Sequence, residues 1–162
     1  MGMKDKILLE MENYFGKDIK RINHAQRVLS YAEKILEKEG GDREIVEAAA
    51  ILHDIGIHAA ERKYGSTAGK YQEMEGPPIA ENILRKIGFP EDKLGEVLQI
   101  IAHHHSPGKV NSLNFKILYD ADWLVNLKDE YGEMGKNQLA RIIEKVFLTK
   151  AGKDLAYKIY LV

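Results

Sequence analysis

The chain has 162 residues, enough for one well-buried core and too few for two ordinary domains, so a single unit with one main site is expected over 1–162. Its 24 basic and 25 acidic residues leave a formal charge of −1, which excludes the positive field that gathers a nucleic-acid backbone; no nucleic-acid duplex is expected as partner. The absence of cysteine excludes disulfides, thiolate nucleophiles and Cys-based zinc sites, and leaves His, Asp and Glu as possible metal ligands.

Apolar residues recur with a helical period almost throughout, and the runs are separated by Gly, Pro and Asp rather than by alternating segments. The fold class expected is all-α, one compact helical domain. Helices are expected over 3–15, 20–39, 42–56, 77–88, 91–105, 112–130, 135–149 and 152–160. Gly40 and Gly41 stop the second, and the Asp42 carboxylate can accept from the free amides that open the third. The stretch from Ile57 to Gly76, with Gly65, Ser66, Thr67 and Gly69, has little continuous apolar face and reads as a loop or lid. Pro77 and Pro78 suit the first turn of the helix that follows, where a missing amide hydrogen costs nothing. The C-terminal helices over 135–160, rich in Ile142, Ile143, Val146 and Phe147, either complete the core or form a homodimer face, and periodicity does not choose. No apolar run reaches the roughly 18 residues of a membrane span, and Met1 to Lys6 lacks the apolar stretch of a signal peptide, so a cytoplasmic protein with no membrane partner is expected.

Six ionisable residues fall where a helical core wants apolar ones: His24, His53, Asp54, Glu75, His104 and Asp122. The run Ala48, Ala49, Ile51, Leu52 is apolar nearly all round, so the third helix is deep in the core when it reaches His53 and Asp54. A buried, unpaired carboxylate there is costly. A cation held by both side chains removes the cost, because neutral imidazole and ionised carboxylate are their metal-binding forms near neutral pH. Continuing the stripe Leu94, Val97, Leu98, Ile101 places His105 near its middle and His104 at its edge, with His103 on the opposite, solvated side. Asp122 shares a buried face with Phe115, Leu118, Tyr119 and Val125, whereas Asp120 lies roughly opposite. Each residue alone has a plainer explanation: a hydrogen-bonded core histidine for His24, a salt bridge to Arg27 for Asp122, an acidic group at a helix N-terminus for Glu75, a solvated helix end for the histidine triplet. One metal site explains them all together.

His24-Ala25-Gln26-Arg27-Val28, then His53-Asp54-Ile55-Gly56, then Asp122 in Tyr119-Asp120-Ala121-Asp122 resemble the H…HD…D signature of the HD-domain superfamily of metal-dependent phosphohydrolases, over about residues 20–127. The resemblance implies an all-helical fold in which His24, His53, Asp54 and Asp122 bind one divalent metal. Members resembling the YqeK-like phosphohydrolases add two histidines for a second metal. One of these begins a His-Gly-Pro segment, where this chain has Glu75-Gly76-Pro77, so Glu75 stands in for it. The other falls in an Ile-x-x-His segment that matches Ile101 to His104, with His105 as the alternative if the following Gly108 sets the register.

The cofactor implied is one or two divalent ions (Fe, Mn, Mg, Ni or Co), and the chemistry implied is phosphoester hydrolysis by metal-activated water. In that reading Asp54 and His53 form the catalytic centre, Asp54 bridges two metals, His24, His53 and Asp122 complete the first site, and Glu75 with His104 holds the second. Arg62, Lys63, Lys70 and His58 are candidates to bind substrate phosphate, against their reading as a solvated charged loop. The substrate expected is a small phosphorylated molecule, a nucleotide at the level of the family. Trp123 and Tyr119 suggest base stacking, but their place on a core helix favours packing. A di-iron oxygenase on the same scaffold, and a non-catalytic nucleotide-binding signalling module, are the competing readings.

Overall fold

The structure is a computed structural model describing residues 1–162, and it contains nine helices and no strand. They are α1 (Met3–Phe15), α2 (Ile19–Glu39), α3 (Arg43–Leu52), α4 (Ile57–Tyr64), α5 (Gly69–Lys86), α6 (Glu91–Ala102), α7 (Leu113–Tyr131), α8 (Lys136–Val146) and α9 (Lys150–Tyr160). The all-α expectation holds. No helix is long and apolar enough to cross a membrane.

Local chemistry sets the starts. Asp18 accepts from the Arg21 amide at 3.3 Å to open α2, Asp42 accepts from the Ile45 amide at 3.1 Å to open α3, and Ser112 accepts from the Phe115 amide at 3.1 Å to open α7. At the other end, α2 stops where Gly40 takes a φ of 82°, a conformation that a side chain would oppose.

Helix α3 runs through the centre, packed by α1, α2, α6 and α7, and every residue from Ile45 to Leu52 is buried. It ends earlier than its sequence pattern suggests. After Leu52 the backbone turns, with the Ile55 amide donating to Leu52 O and the Ile57 amide to Asp54 O, so His53 and Asp54 sit on a tight corner at the core end of α3.

The stretch expected as a loop from Ile57 to Gly76 is mostly helix. Ile57, Ala59 and Ala60 give α4 a narrow buried face, too short to register as a period, and the true connection is only Gly65 to Ala68. Pro77 and Pro78 correspondingly lie inside α5 rather than opening it. Neither can donate to the carbonyl four residues back; Met74 and Pro78 are exposed, so water can satisfy the Met74 carbonyl. Gly76 on α5 lies directly against Gly56 at the corner: a Cβ on Gly56 would come within 2.8 Å of the Gly76 Cα. The glycine pair brings α5 onto the corner that carries His53 and Asp54.

Helices α8 and α9 complete the core. Leu139, Ile143, Phe147 and Ala156 are buried in it, α9 packs on α7 and α2, and the Tyr160 hydroxyl donates to the Leu124 carbonyl. The covering changes the reading of Asp120. It is fully buried rather than facing away from the core, and accepts from the Leu148 and Thr149 amides at 2.9 and 2.8 Å and from the Thr149 hydroxyl at 2.6 Å. Burial pushes its carboxyl up to about 6 against those three hydrogen bonds.

Candidate metal centre

Four side chains from three places converge at the core end of α3. His24 Nε2, from α2, lies 3.2 Å from His53 Nε2, 3.2 Å from Asp54 Oδ2 and 3.1 Å from Asp122 Oδ1 of α7. His53 Nε2 lies 3.5 Å from Asp54 Oδ2 and 3.4 Å from Asp122 Oδ1. Donor atoms sharing one cation at bonds of roughly 2.1 Å stand about 3.0 to 3.4 Å from one another, so these separations match a coordination polyhedron.

The rings are oriented for that role. His53 Nδ1–H donates to the Ala50 carbonyl at 2.8 Å, which leaves the Nε2 lone pair facing the carboxylates. His104 does the same with the Ile101 carbonyl at 2.7 Å. Its Nε2 is the one buried side-chain polar atom without a hydrogen-bond partner, 3.5 Å from the second oxygen of Asp54, Oδ1. An orphaned, inward-facing imidazole nitrogen is expensive to bury and is satisfied by a cation. Asp54, His104 and His105 accordingly form a second group of possible ligands, sharing Asp54 with His24 and His53. The donor set fits a divalent cation.

Without one, the groups compensate each other. Burial pushes the His53 imidazole down, but the carboxylates of Asp54 and Asp122 overcome it and raise it to about 9. Burial pushes Asp54 and Asp122 up, and the imidazoles, His53 foremost, hold both well below the usual carboxylate range.

Several expected residues stand elsewhere. Glu75 is not brought to the cluster: Lys63 Nζ at 2.7 Å and the Tyr64 hydroxyl at 3.1 Å engage its carboxylate, because α4 presents both residues to its position on α5. Arg27 pairs with Asp129 at 3.0 Å rather than with Asp122. α6 ends at Ala102, so extending its stripe misplaced the triplet: His104 is fully buried, while His105 sits at the rim, Nε2–H donating to Gln72 Oε1 at 3.2 Å. Burial lowers the His105 pKa, and nearby His104 adds to the effect.

The donor cluster opens into a cavity of about 590 Å³ between α2 and α7. None of His58, Arg62, Lys63 or Lys70 lines it. His58 bonds Asp18 at 2.7 Å, Arg62 lies with it on a shallow depression, and the Lys70 ammonium rests 4.9 Å from the Tyr71 ring centroid. The cations that do line the cavity are Lys20, Arg21 and Arg27, with Asn23, Asn126 and Gln72. The signal for most of them was in the sequence: Lys20 and Arg21 precede His24 by one helical turn, Arg27 follows it by one, and Asn126 follows Asp122 by one. Nothing comparable marked Gln72. Trp123 and Tyr119, expected as packing residues, do pack on the core but are also partly exposed, on an adjoining cleft.

An all-helical fold closing two histidines and two carboxylates around one buried point defines a helical domain with a candidate metal centre of the H…HD…D type. The chain belongs to the HD domain family, whose model matches residues 21–127. Two solved structures resemble it along nearly the whole chain. A predicted HD superfamily hydrolase from an uncultured Thermotogales bacterium is 29% identical with a TM-score of 0.70, over 96% of this chain and 84% of that one. An HD-superfamily hydrolase from Bacillus thuringiensis is 22% identical with a TM-score of 0.68, over 97% of this chain and 88% of that one, a likeness of fold. No curated protein sequence matches the chain.

Proposed function

We propose that this protein is a metal-dependent phosphohydrolase acting on a small phosphorylated metabolite, a nucleotide or a related compound. The observation that carries the reading is the convergence of His24, His53, Asp54 and Asp122 at 3.1–3.5 Å beside the orphaned Nε2 of His104. The related Thermotogales protein, described as a hydrolase, supports the reaction type. His24, His53, Asp54 and Asp122 would hold a first divalent cation, and His104 and His105 with the other oxygen of Asp54 a second. Such cations acidify water for attack on phosphorus and neutralise the phosphoryl oxygens.

The remaining work falls to the chain's own groups. Lys20 and Arg21 on the cavity wall counter the charge of the incoming phosphate and orient it over the donor cluster. Asp54, kept ionised by His53 and His104 despite its burial, is ready to accept a hydrogen bond from the attacking water. The water oxygen bonds to phosphorus as the ester P–O bond breaks, and the proton that the water gives up ends on the leaving oxygen.

The test is a panel of phosphoesters with protein loaded in turn with Mn, Fe, Co, Ni and Mg. Released phosphate is the expected outcome, and Asp54→Asn is expected to lower it by at least about 100-fold. Oxygen consumption with every phosphoester untouched would overturn the hydrolase reading in favour of an oxygenase.

A further inference from the structure

Gln72 is only 7% exposed and lies on the wall of the main cavity, yet the reaction as proposed gives it no part. Its side-chain amide is committed at both ends. Nε2–H donates to the Thr67 carbonyl at 2.7 Å, which fixes the way the amide faces and leaves Oε1, an acceptor only, 3.2 Å from His105 Nε2. In the neutral His105 ring the proton therefore sits on Nε2 and the lone pair on Nδ1. His53 and His104 are set the other way, since both donate Nδ1–H to a backbone carbonyl and present Nε2.

The rest of the first turn of α5 holds the same ring. Gly69 lies against it so closely that a Cβ there would fall 2.9 Å from His105 Cβ and Cγ and 3.1 Å from Cδ2. Glu73 accepts from the His105 amide at 3.0 Å and, with its other oxygen, from the Ser106 hydroxyl at 3.0 Å. Gly69 and Gln72 thus engage the Cδ2 and Nε2 side of the imidazole, and Nδ1 is turned away from α5. His105 at the same time shares a group of possible ligands with Asp54 and His104.

We propose that Gln72 is a positioning residue for the second half of the centre: it fixes the tautomer of His105, so that this histidine meets a divalent cation through Nδ1, the nitrogen opposite to the one that His53 and His104 present. The inference rests on the metal-dependent reading and adds the ligating atom and the group that presets it. An acceptor on the far ring nitrogen holds the ring in one orientation and makes the free nitrogen a better donor. Without Gln72 the proton can sit on either nitrogen and the ring can turn.

The tautomer is read on the metal-free, unaltered protein at mildly alkaline pH, by long-range proton–nitrogen NMR correlation of the histidine rings. His105 is expected to carry its proton on Nε2 and His104 on Nδ1; a proton on His105 Nδ1 overturns the proposal. Mn is then titrated by calorimetry into the wild type, Gln72→Leu, Gln72→Glu, His105→Ala and the Gln72→Leu, His105→Ala double variant. Gln72→Leu is expected to weaken the second Mn step about tenfold and to leave the first unchanged. Gln72→Glu, whose carboxylate still accepts from Nε2–H, restores the second step. In the His105→Ala background Gln72→Leu costs nothing further, because Gln72 acts only through that ring. A second step unaffected by Gln72→Leu overturns the proposal, as does one weakened equally with and without His105, which would make Gln72 a packing residue alone. A single Mn step in the wild type removes the second half of the centre and the proposal with it, and phosphate release from that protein leaves the hydrolase standing. Failure of the phosphohydrolase reading looks different: the Mn steps and their variants behave as described while no phosphoester releases phosphate. Because the tautomer is read on the unaltered protein, it decides the matter even if Gln72→Leu does not fold.

Discussion

His53 has one ring nitrogen committed to the Ala50 carbonyl and the other facing two carboxylates, so a proton and a cation compete for the same lone pair. With its pKa raised to about 9, His53 carries that proton at neutral pH until metal displaces it. Mn affinity is therefore expected to weaken about tenfold per unit as pH falls below about 9, with protons released on binding. Calorimetry in buffers of different ionisation enthalpy measures both, and an affinity flat with pH sinks the argument. In the metal-free protein the same pairing stabilises the fold fully below the ordinary value of 6.5 and is lost as pH rises through about 9. His24, His53, Asp54 and Asp122 were legible in the sequence because each is a polar residue on a helix face that burial otherwise reserves for apolar ones. Lys63 was not, since its direction follows from a short helix α4 whose buried face, Ile57, Ala59 and Ala60, spans barely one turn. Once α4 exists, Lys63 meets Glu75, and the expected second ligand is already engaged.

At the scale of elements, the corner after α3 depends on α5 lying against it, glycine to glycine. Gly56→Ala would force the Gly76 backbone away, and a loss of about 2 kcal/mol is expected on denaturant unfolding, with weakened metal binding from a displaced Gln72 and corner. The α8–α9 junction hangs on Asp120. Asp120→Ala leaves the buried Thr149 amide, and the part-buried Leu148 amide, without their acceptor, at about 2 kcal/mol. The folded protein keeps a proton on Asp120 up to about pH 6, whereas the unfolded chain releases it near 3.8. Ionisation of this group thus subtracts stability as pH rises through that window, so the wild-type advantage over Asp120→Ala should be larger at pH 4.5 than at pH 7 in thermal melts. The long amphipathic helix α2 was readable from its period, and α7, buried nearly all round, from the length of its apolar run. The α4–α5 stretch was not, because Pro77 and Pro78 ordinarily mark a helix start; in α5 they sit beyond two turns already formed, beside a Gly76 that close packing requires.

For the whole molecule, the donor cluster joins parts of the chain that are remote in sequence: His24 and Asp122, in contact at 3.1 Å, are 98 positions apart. A cation there would cross-link α2, the corner after α3 and α7, and would bind only when all three are in place. Mn at about 100 times its Kd is expected to add about 2.7 kcal/mol, a rise of roughly 5–10 °C in Tm that a chelator reverses. An unchanged Tm on loading and stripping would show that the donors do not act together. Whether α8 and α9 close the core or face a second copy could not be read from Ile142, Ile143, Val146 and Phe147 as a pattern, since both fates need an apolar stripe. Within the one chain Ile143 is fully buried and Phe147 nearly so, whereas Ile142 and Val146 are only partly buried.

Asp54 turns Oδ2 toward His24 and His53 and Oδ1 toward His104. The two halves of the centre therefore share a single electron-rich group and cannot fill independently. The half with His24, His53 and Asp122 has the larger donor set and would fill first; a cation there would draw charge from the shared carboxylate and weaken the half with His104 and His105. A metal titration should resolve into two unequal steps, with the second ion the one lost on dilution, so that the concentration of available metal, and not only its identity, sets how much of the protein is in its doubly loaded form.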